Sequence, residues 1–183
     1  LLRKYRSLVE TTAERLGKQA QLTLEDPDAT ELPVEFFQHL DPTFLHIIRN
    51  SLDHGIEDVE GRMAAGKDPV ASILFSTQRQ NGGIIFTIRD DGRGVDLERV
   101  RAIGIERGFV KPEQAMRMSP EDILKLLLLP GFSSKDTVTD MSGRGVGLDV
   151  VCKDIDQLHG RLRLVTRAGG GTTFELYYPT PTQ

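Results

Sequence analysis

Two alternating runs near the end of the chain, Arg161–Arg167 and Thr172–Tyr178, flank the turn Ala168-Gly169-Gly170-Gly171 and predict an antiparallel hairpin. Leu162 and Leu164 fall on one side with Phe174 and Leu176, while arginines take the other. A ribbon with one apolar face has to bury it, and helical patterns elsewhere supply the cover. Such patterns occupy Asp96–Arg107, Ser119–Leu128 and Leu148–Leu158; Ser119 is a cap, with Asp122 at the third helical position. Leu1, Tyr5, Leu8, Thr12 and Leu16 also recur at helical spacing before Gly17. A longer pattern, Pro33–His54, is predicted to break or kink near Asp41-Pro42. Ala20–Leu24, Ala71–Gln78 and Ile84–Arg89 read as further strands, the last two joined through Asn81-Gly82-Gly83. The order predicts a sheet with helices on one face, not a doubly wound parallel sheet.

Composition narrows the class. The chain has 183 residues, 38% of them hydrophobic, which suits one domain with a short appendage. Lys and Arg number 23 against 27 Asp and Glu, a net charge of −4. With a pI near 5.6 this excludes a general nucleic-acid binder. The longest aliphatic run, Leu126–Leu129, is far below the ~20 residues of a membrane span, so no membrane insertion is expected. Cys152 is the only cysteine, which excludes an internal disulfide. No signal-peptide pattern opens the chain, and the reading is of a cytoplasmic domain. Starting at Leu1 in mid-pattern, it reads as a piece of something longer.

At about 100° per residue from His46, the residues Arg49, Asn50, Asp53 and His54 share an arc of roughly 140° with it. Phe44, Leu45, Ile48 and Leu52 lie opposite. This is either a solvated amphipathic helix or a site; Asn, Asp and His are poor helix formers, which favours neither Glu-Lys solvation nor simple propensity. Asp90-Asp91-Gly92-Arg93-Gly94 follows a strand directly. It is either a tight turn or a carboxylate held for an exocyclic amine, with glycines admitting a flat ring. Gly143-Arg144-Gly145-Val146-Gly147-Leu148 opens a helix, where free backbone N–H groups suit phosphate. Pro130-Gly131-Phe132-Ser133-Ser134-Lys135 is either a mobile lid or an irregular connector. No Walker-type loop is present.

Order and spacing join these signals. His46-Ile47-Ile48-Arg49-Asn50-Ser51-Leu52-Asp53-His54-Gly55-Ile56-Glu57 resembles the N box of the CheA chemotaxis histidine kinase family. Asp90-x-Gly92-x-Gly94 resembles that family's first glycine box, and Gly131-Phe132-Ser133-Ser134-Lys135 its F box. Gly143 to Val151 resembles its second glycine box. The resemblance covers about residues 20–178 and departs most at residues 31–45, where Pro33 stands in place of the family's usual Asp.

The resemblance implies a Bergerat-type fold: an α+β two-layer sandwich whose mixed, mostly antiparallel sheet has helices on one face, with a flexible ATP lid. It implies that residues 20–183 are an ATP-binding catalytic domain and 1–19 the end of a preceding dimerisation helix. ATP and Mg²⁺ are the expected cofactors. Asn50 would ligate the metal through its side-chain oxygen, which suits a hard cation. Asp90 would take the adenine amine, and Gly92 and Gly94 would line the base pocket. Ser133, Ser134, Lys135, Gly143, Arg144, Gly145, Val146, Gly147 and Leu148 would complete the nucleotide site. His46, Arg49 and Asn50 form the catalytic group; His46 and His54 are read as direct contacts, and Asp53 as holding a neighbouring side chain. The implied partners are a phosphoacceptor histidine domain of the parent kinase, a coupling protein and chemoreceptors, and a second copy in the full-length protein. Cys152, His39 and His159 have no motif role.

Hydrolytic relatives of this fold carry Glu four residues before the metal-binding Asn, where this chain has His46. An imidazole is a weaker anchor for hydrolytic water, so the kinase reading stands ahead of a plain ATPase or a nucleotide-sensing scaffold.

Overall fold

Alternation along the chain becomes, in space, a five-stranded sheet with one buried face. The computed structural model describes residues 3–26, 34–80, 82–132 and 148–179. The strands are β1 (Ala20–Glu25), β2 (Ala71–Gln80), β3 (Gly83–Asp90), β4 (Arg161–Arg167) and β5 (Gly171–Pro179), in the order β1-β2-β3-β5-β4. β1 runs parallel to β2, and the other three pairings are antiparallel. Leu162 stands opposite Leu176 and Leu164 opposite Phe174, the register that the alternation demands.

Ile73, Phe75, Phe86, Ile88, Phe174, Leu176 and Tyr178 point into the core from one face of the sheet. The helices α1 (Arg3–Arg15), α2 (Val34–Asn50) and α7 (Leu148–Gln157) supply the second layer. Phe44 of α2 meets Phe75 and Phe86 with ring centroids 5.0 and 4.9 Å away, and Tyr5 of α1 stacks on Phe75 at 5.8 Å. The expected mixed α+β sandwich is what forms. Between β2 and α2 lies α3 (Val59–Ala64); α4 (Leu97–Glu106), α5 (Pro112–Ala115) and α6 (Pro120–Leu126) follow β3. The last group gathers a smaller cluster, Val100, Ile123, Leu126 and Phe132, apart from the main core. Ser119 caps α6 by accepting from the Asp122 N–H, as its sequence predicts. Among the described residues no helix is long and apolar enough to cross a membrane.

Two features of the long N-terminal pattern differ from expectation. The helix does not break at Asp41-Pro42: α2 runs through Pro42 without interruption. A proline there removes the partner of the Gln38 carbonyl, but Gln38 and Pro42 are both exposed, so water can serve that carbonyl. Thr43 and Phe44 beside it are buried and hold the helix in place. Secondly, α-geometry stops at Asn50. Ser51–Gly55 forms a π-helical turn, closed by the Ile56 N–H on the Ser51 carbonyl at 2.8 Å. Angular positions computed for a straight helix therefore do not hold for Asp53 and His54. The wider turn keeps Ser51, Leu52 and Ile56 buried together.

Candidate functional site

The C-terminal end of α2, its π-turn and the end of β3 converge on one carboxylate. Asp90, the last residue of β3, is 2% exposed. Its Oδ2 accepts from the Ser51 hydroxyl at 3.0 Å. Its Oδ1 accepts the N–H groups of Gly92 at 2.9 Å and Thr172 at 3.3 Å. A carboxylate has about four acceptor sites, so these three donors leave room for one more. Burial raises the Asp90 pKa above the ordinary aspartate value, against the three hydrogen bonds, and neighbouring Asp91 adds to the rise.

Ser51 follows Asn50 directly, so the predicted metal ligand and the predicted amine acceptor are joined by one peptide link and one hydrogen bond. Asn50 is half-buried and its side chain makes no capping hydrogen bond to the π-turn. His46, one turn earlier, is also half-buried, whereas Arg49, Asp53 and His54 are exposed. The first glycine box is sewn to the N box: the Arg93 N–H donates to the Gly55 carbonyl at 2.9 Å. A Cβ at Gly92 would lie 2.2 Å from that carbonyl, so only glycine fits there. Gly94, at φ +77°, packs its bare backbone against the Arg167 carbonyl, which a Cβ would approach to 2.4 Å. Leu148 is half-buried at the start of α7. Ser133, Ser134, Lys135, Gly143, Arg144, Gly145, Val146 and Gly147 lie outside the described residues. Of the predicted lid only Pro130, Gly131 and Phe132 are described, and Phe132 is buried in the smaller cluster.

Sequence reasoning missed the residues that brace this corner. Ser51 was one of them, hidden within the N-box run. Arg62 of α3 is only 1% exposed. Its guanidinium grips the Asp91 carboxylate through both oxygens, at 3.1 and 2.9 Å, and reaches Glu57 at 3.3 Å. Its Nε donates to the Asp68 carbonyl. Lys67 donates to Glu57 at 2.7 Å and to the carbonyls of Asp91 and Gly92 at 2.9 and 2.8 Å. Burial acts upward on the Glu57 pKa, but the Lys67 hydrogen bond and the nearby Lys67 and Arg62 charges outweigh it and hold the carboxyl below its usual range. The network thus ties the end of the N box to the residues flanking Asp90. The available signal was Asp58, a cap residue whose side chain accepts from the Gly61 N–H and starts α3.

Removing Arg62 tests that brace. Arg62→Met leaves Glu57 with Lys67 alone and Asp91 with no cation. No buried charge is left alone, since Glu57 keeps Lys67 and Asp91 is 41% exposed, so the loss expected is that of charge-assisted hydrogen bonds, about 1.5–3 kcal/mol. Urea denaturation is the measurement; a loss under about 1 kcal/mol would reduce the network to a surface feature.

Among the described residues no group of three or more His, Cys, Asp or Glu side chains could hold a metal ion. A single neutral amide oxygen at Asn50 fits a hexacoordinate cation whose remaining ligands are phosphate oxygens and water.

The family described as histidine kinase-, DNA gyrase B-, and HSP90-like ATPase matches residues 39–182. The chemotaxis protein CheA of Klebsiella aerogenes is 39% identical over 176 residues, which are 96% of this chain and 26% of that protein. The chain therefore spans about a quarter of the length of that curated relative. Among solved structures, the histidine kinase domain of the Erythrobacter litoralis EL346 blue-light activated histidine kinase matches 97% of this chain and 58% of its own, with a TM-score of 0.55 at 15% identity. Full-length ShkA in complex with AMPPNP matches 100% of this chain and 30% of its own, with a TM-score of 0.58 at 17% identity. These two likenesses concern the fold.

Proposed function

Because this chain belongs to the histidine kinase-, DNA gyrase B-, and HSP90-like ATPase family, and is CheA-like within it, we propose that it moves the γ-phosphoryl group of ATP to a histidine on a separate phosphoacceptor domain. The observation that carries this reading is the hydrogen bond between Ser51 and Asp90, which brings the N box and first glycine box to one point.

In this reading Asp90 accepts the exocyclic amine of adenine on the acceptor site its three donors leave open. Gly92 and Gly94, packed against the backbone of Gly55 and Arg167, are assigned to the lining of the base pocket. Asn50 holds Mg²⁺ through its amide oxygen; the ion, when bound, neutralises charge on the phosphate oxygens. His46, Arg49 and the exposed Asp53 and His54 surround the phosphate side, and His46 occupies the place of a hydrolytic carboxylate. The segment 133–148 is assigned the triphosphate. Residues 1–19 are assigned to the end of a dimerisation helix. The phosphoacceptor domain would belong to a longer, cytoplasmic parent protein, whose other domains would engage a coupling protein and chemoreceptors.

The test is incubation with γ-labelled ATP, with and without the phosphoacceptor domain of the parent protein. None of the four histidines, His39, His46, His54 and His159, lies in a phosphoacceptor-like sequence. The expected result is slow labelling of the added domain in trans and none of the chain itself, because an untethered encounter forfeits effective concentration. Stoichiometric, acid-labile label on the isolated chain would overturn the proposal.

A further inference from the structure

The carbonyls at the end of a helix have no intrahelical donor, and in the π-turn Ser51 and Leu52 are buried. The carbonyl oxygens of Leu52 and Asp53 nevertheless find one. The Lys18 ammonium donates to them at 2.5 and 3.1 Å. Lys18 does not belong to that helix; it lies in the link between α1 and β1. Its backbone is fixed there by the way α1 stops. The Gly17 N–H bonds to the Glu14 carbonyl and the Lys18 N–H to the Ala13 carbonyl, with Gly17 at φ +67°. This is the paired closure of a Schellman motif, so Lys18 leaves α1 in a set direction.

At its other end α1 is fastened to the same helix. The Tyr5 hydroxyl donates to Asp41 of α2, and the Lys4 ammonium lies 2.6 Å from the same carboxylate. Tyr5, Val9 and Ala13 between these points are buried in the main core. α1 and its exit therefore grip the helix that carries the N box at Asp41 and its π-turn at Leu52–Asp53, on either side of His46 and Asn50. The ammonium is a charged donor beside the negative end of a helix dipole, the favourable pole for a cation. Burial pulls its pKa below the ordinary lysine value; Asp53 opposes this and Arg93 adds to it.

We propose that Lys18 is a positioning residue for the nucleotide site, clamping the π-turn so that Asn50, Asp53 and Ser51 keep their relative places, and joining that turn rigidly to the end of α1. The inference rests on the reading of Asn50 and Asp90 as nucleotide ligands, and extends it to a residue outside every motif. Lys18 touches no substrate atom in this scheme; it acts through the two carbonyls. A consequence is that a rotation of α1 moves the π-turn directly, without passing through the sheet.

Two measurements on the whole chain test it. Amide exchange without nucleotide reads the clamp itself, and calorimetric titration with Mg²⁺ and AMPPNP reads its effect on the site. Lys18→Met keeps the aliphatic stem and removes the donor. It is expected to speed exchange of the Leu52–Ile56 amides while those of β3 and β5 stay as in the parent chain, and to weaken AMPPNP binding about tenfold, as loss of an outer-shell partner does. Lys18→Arg restores a charged donor and is expected to return affinity to within about threefold of the parent. Unchanged exchange at Leu52–Ile56 overturns the clamp, and so does equal acceleration throughout the sheet. An Arg variant as weak as the Met variant does the same. If instead the exchange result holds but Asp90→Asn leaves AMPPNP affinity untouched, the nucleotide reading fails and takes the positioning role with it.

Discussion

Replacing Asp90 by asparagine is expected to weaken Mg–ATP binding by about tenfold to a hundredfold and to leave the chain no less stable. The first part follows from losing a charged acceptor in a dry pocket, worth about 1.5–3 kcal/mol, and from facing an amine with an amide donor. The second follows from the direction of the Asp90 pKa. Its raised value, caused first by burial, means that its neutral form is the better tolerated one in the folded chain. The associated stability is present below the ordinary aspartate range and is lost as pH rises through the raised pKa. Near neutral pH the ionised carboxylate is therefore a cost to folding, and an amide removes it. Asparagine can still accept the Gly92 and Thr172 N–H groups on Oδ1 and donate to the Ser51 hydroxyl, so the surrounding hydrogen bonds survive. The stability of Asp90→Asn relative to the parent should grow from acid to neutral pH. Calorimetry and urea denaturation read the two halves; parent-like affinity would remove Asp90 from the pocket.

Asn50→Ala should separate binding from chemistry. The adenine side of the site, built on Asp90 and Ser51, is untouched by the change. Asn50 caps nothing with its side chain, and alanine is the better helix former, so the turn that follows should keep its geometry. What goes is the oxygen assigned to Mg²⁺. Phosphoryl transfer depends almost wholly on positioning and charge neutralisation, so turnover is expected to fall by about a thousandfold or more. Nucleotide affinity should change by less than about tenfold. Trans-phosphorylation rates alongside calorimetry give both numbers, and Mg²⁺-dependent turnover near the parent level would refute the role.

The two residues behind these expectations are proposed from sequence on different signals. Asp90 stands at the end of a strand whose alternation is plain, next to two glycines, and a turn signal and a site signal coincide there. Asn50 stands out because it is a weak helix former on the polar side of a strong amphipathic pattern. The hairpin register was legible, since a slip of one residue would expose Leu162, Leu164, Phe174 and Leu176 together. Ser51 was not legible. At about 100° per residue it falls near 140° from His46, between the two faces, where a small hydroxyl looks like filler. Its partner is Asp90, 39 positions away, and no spacing rule carries that distance. Arg62 and Lys67 were missed because a charged side chain defaults to solvent, and their partners come from Glu57 and Asp91 through folding alone. α3 and α5 are shorter than two helical turns, too brief for periodicity to speak. Pro42 shows the opposite error, a strong local breaker overruled by packing on one side and water on the other.

The sheet has a seam with consequences for how the chain acquires its site. β2 and β3 form one local hairpin and β4 and β5 another, each closed by a short turn. They meet only along β3 and β5, with residues 91–170 between them in sequence. Joining them carries the largest loop-closure cost among the antiparallel pairings, so it is the step that topology makes slow. The Thr172 N–H reaches the Asp90 carboxylate across that seam. A chain with both hairpins formed but not yet zipped together would have its strands and lack the Thr172 donor to Asp90 and the Arg167 backbone against which Gly94 packs. The proposed site is thus completed only when the two hairpins join, and a chain stopped short of that pairing is expected to bind nucleotide more weakly.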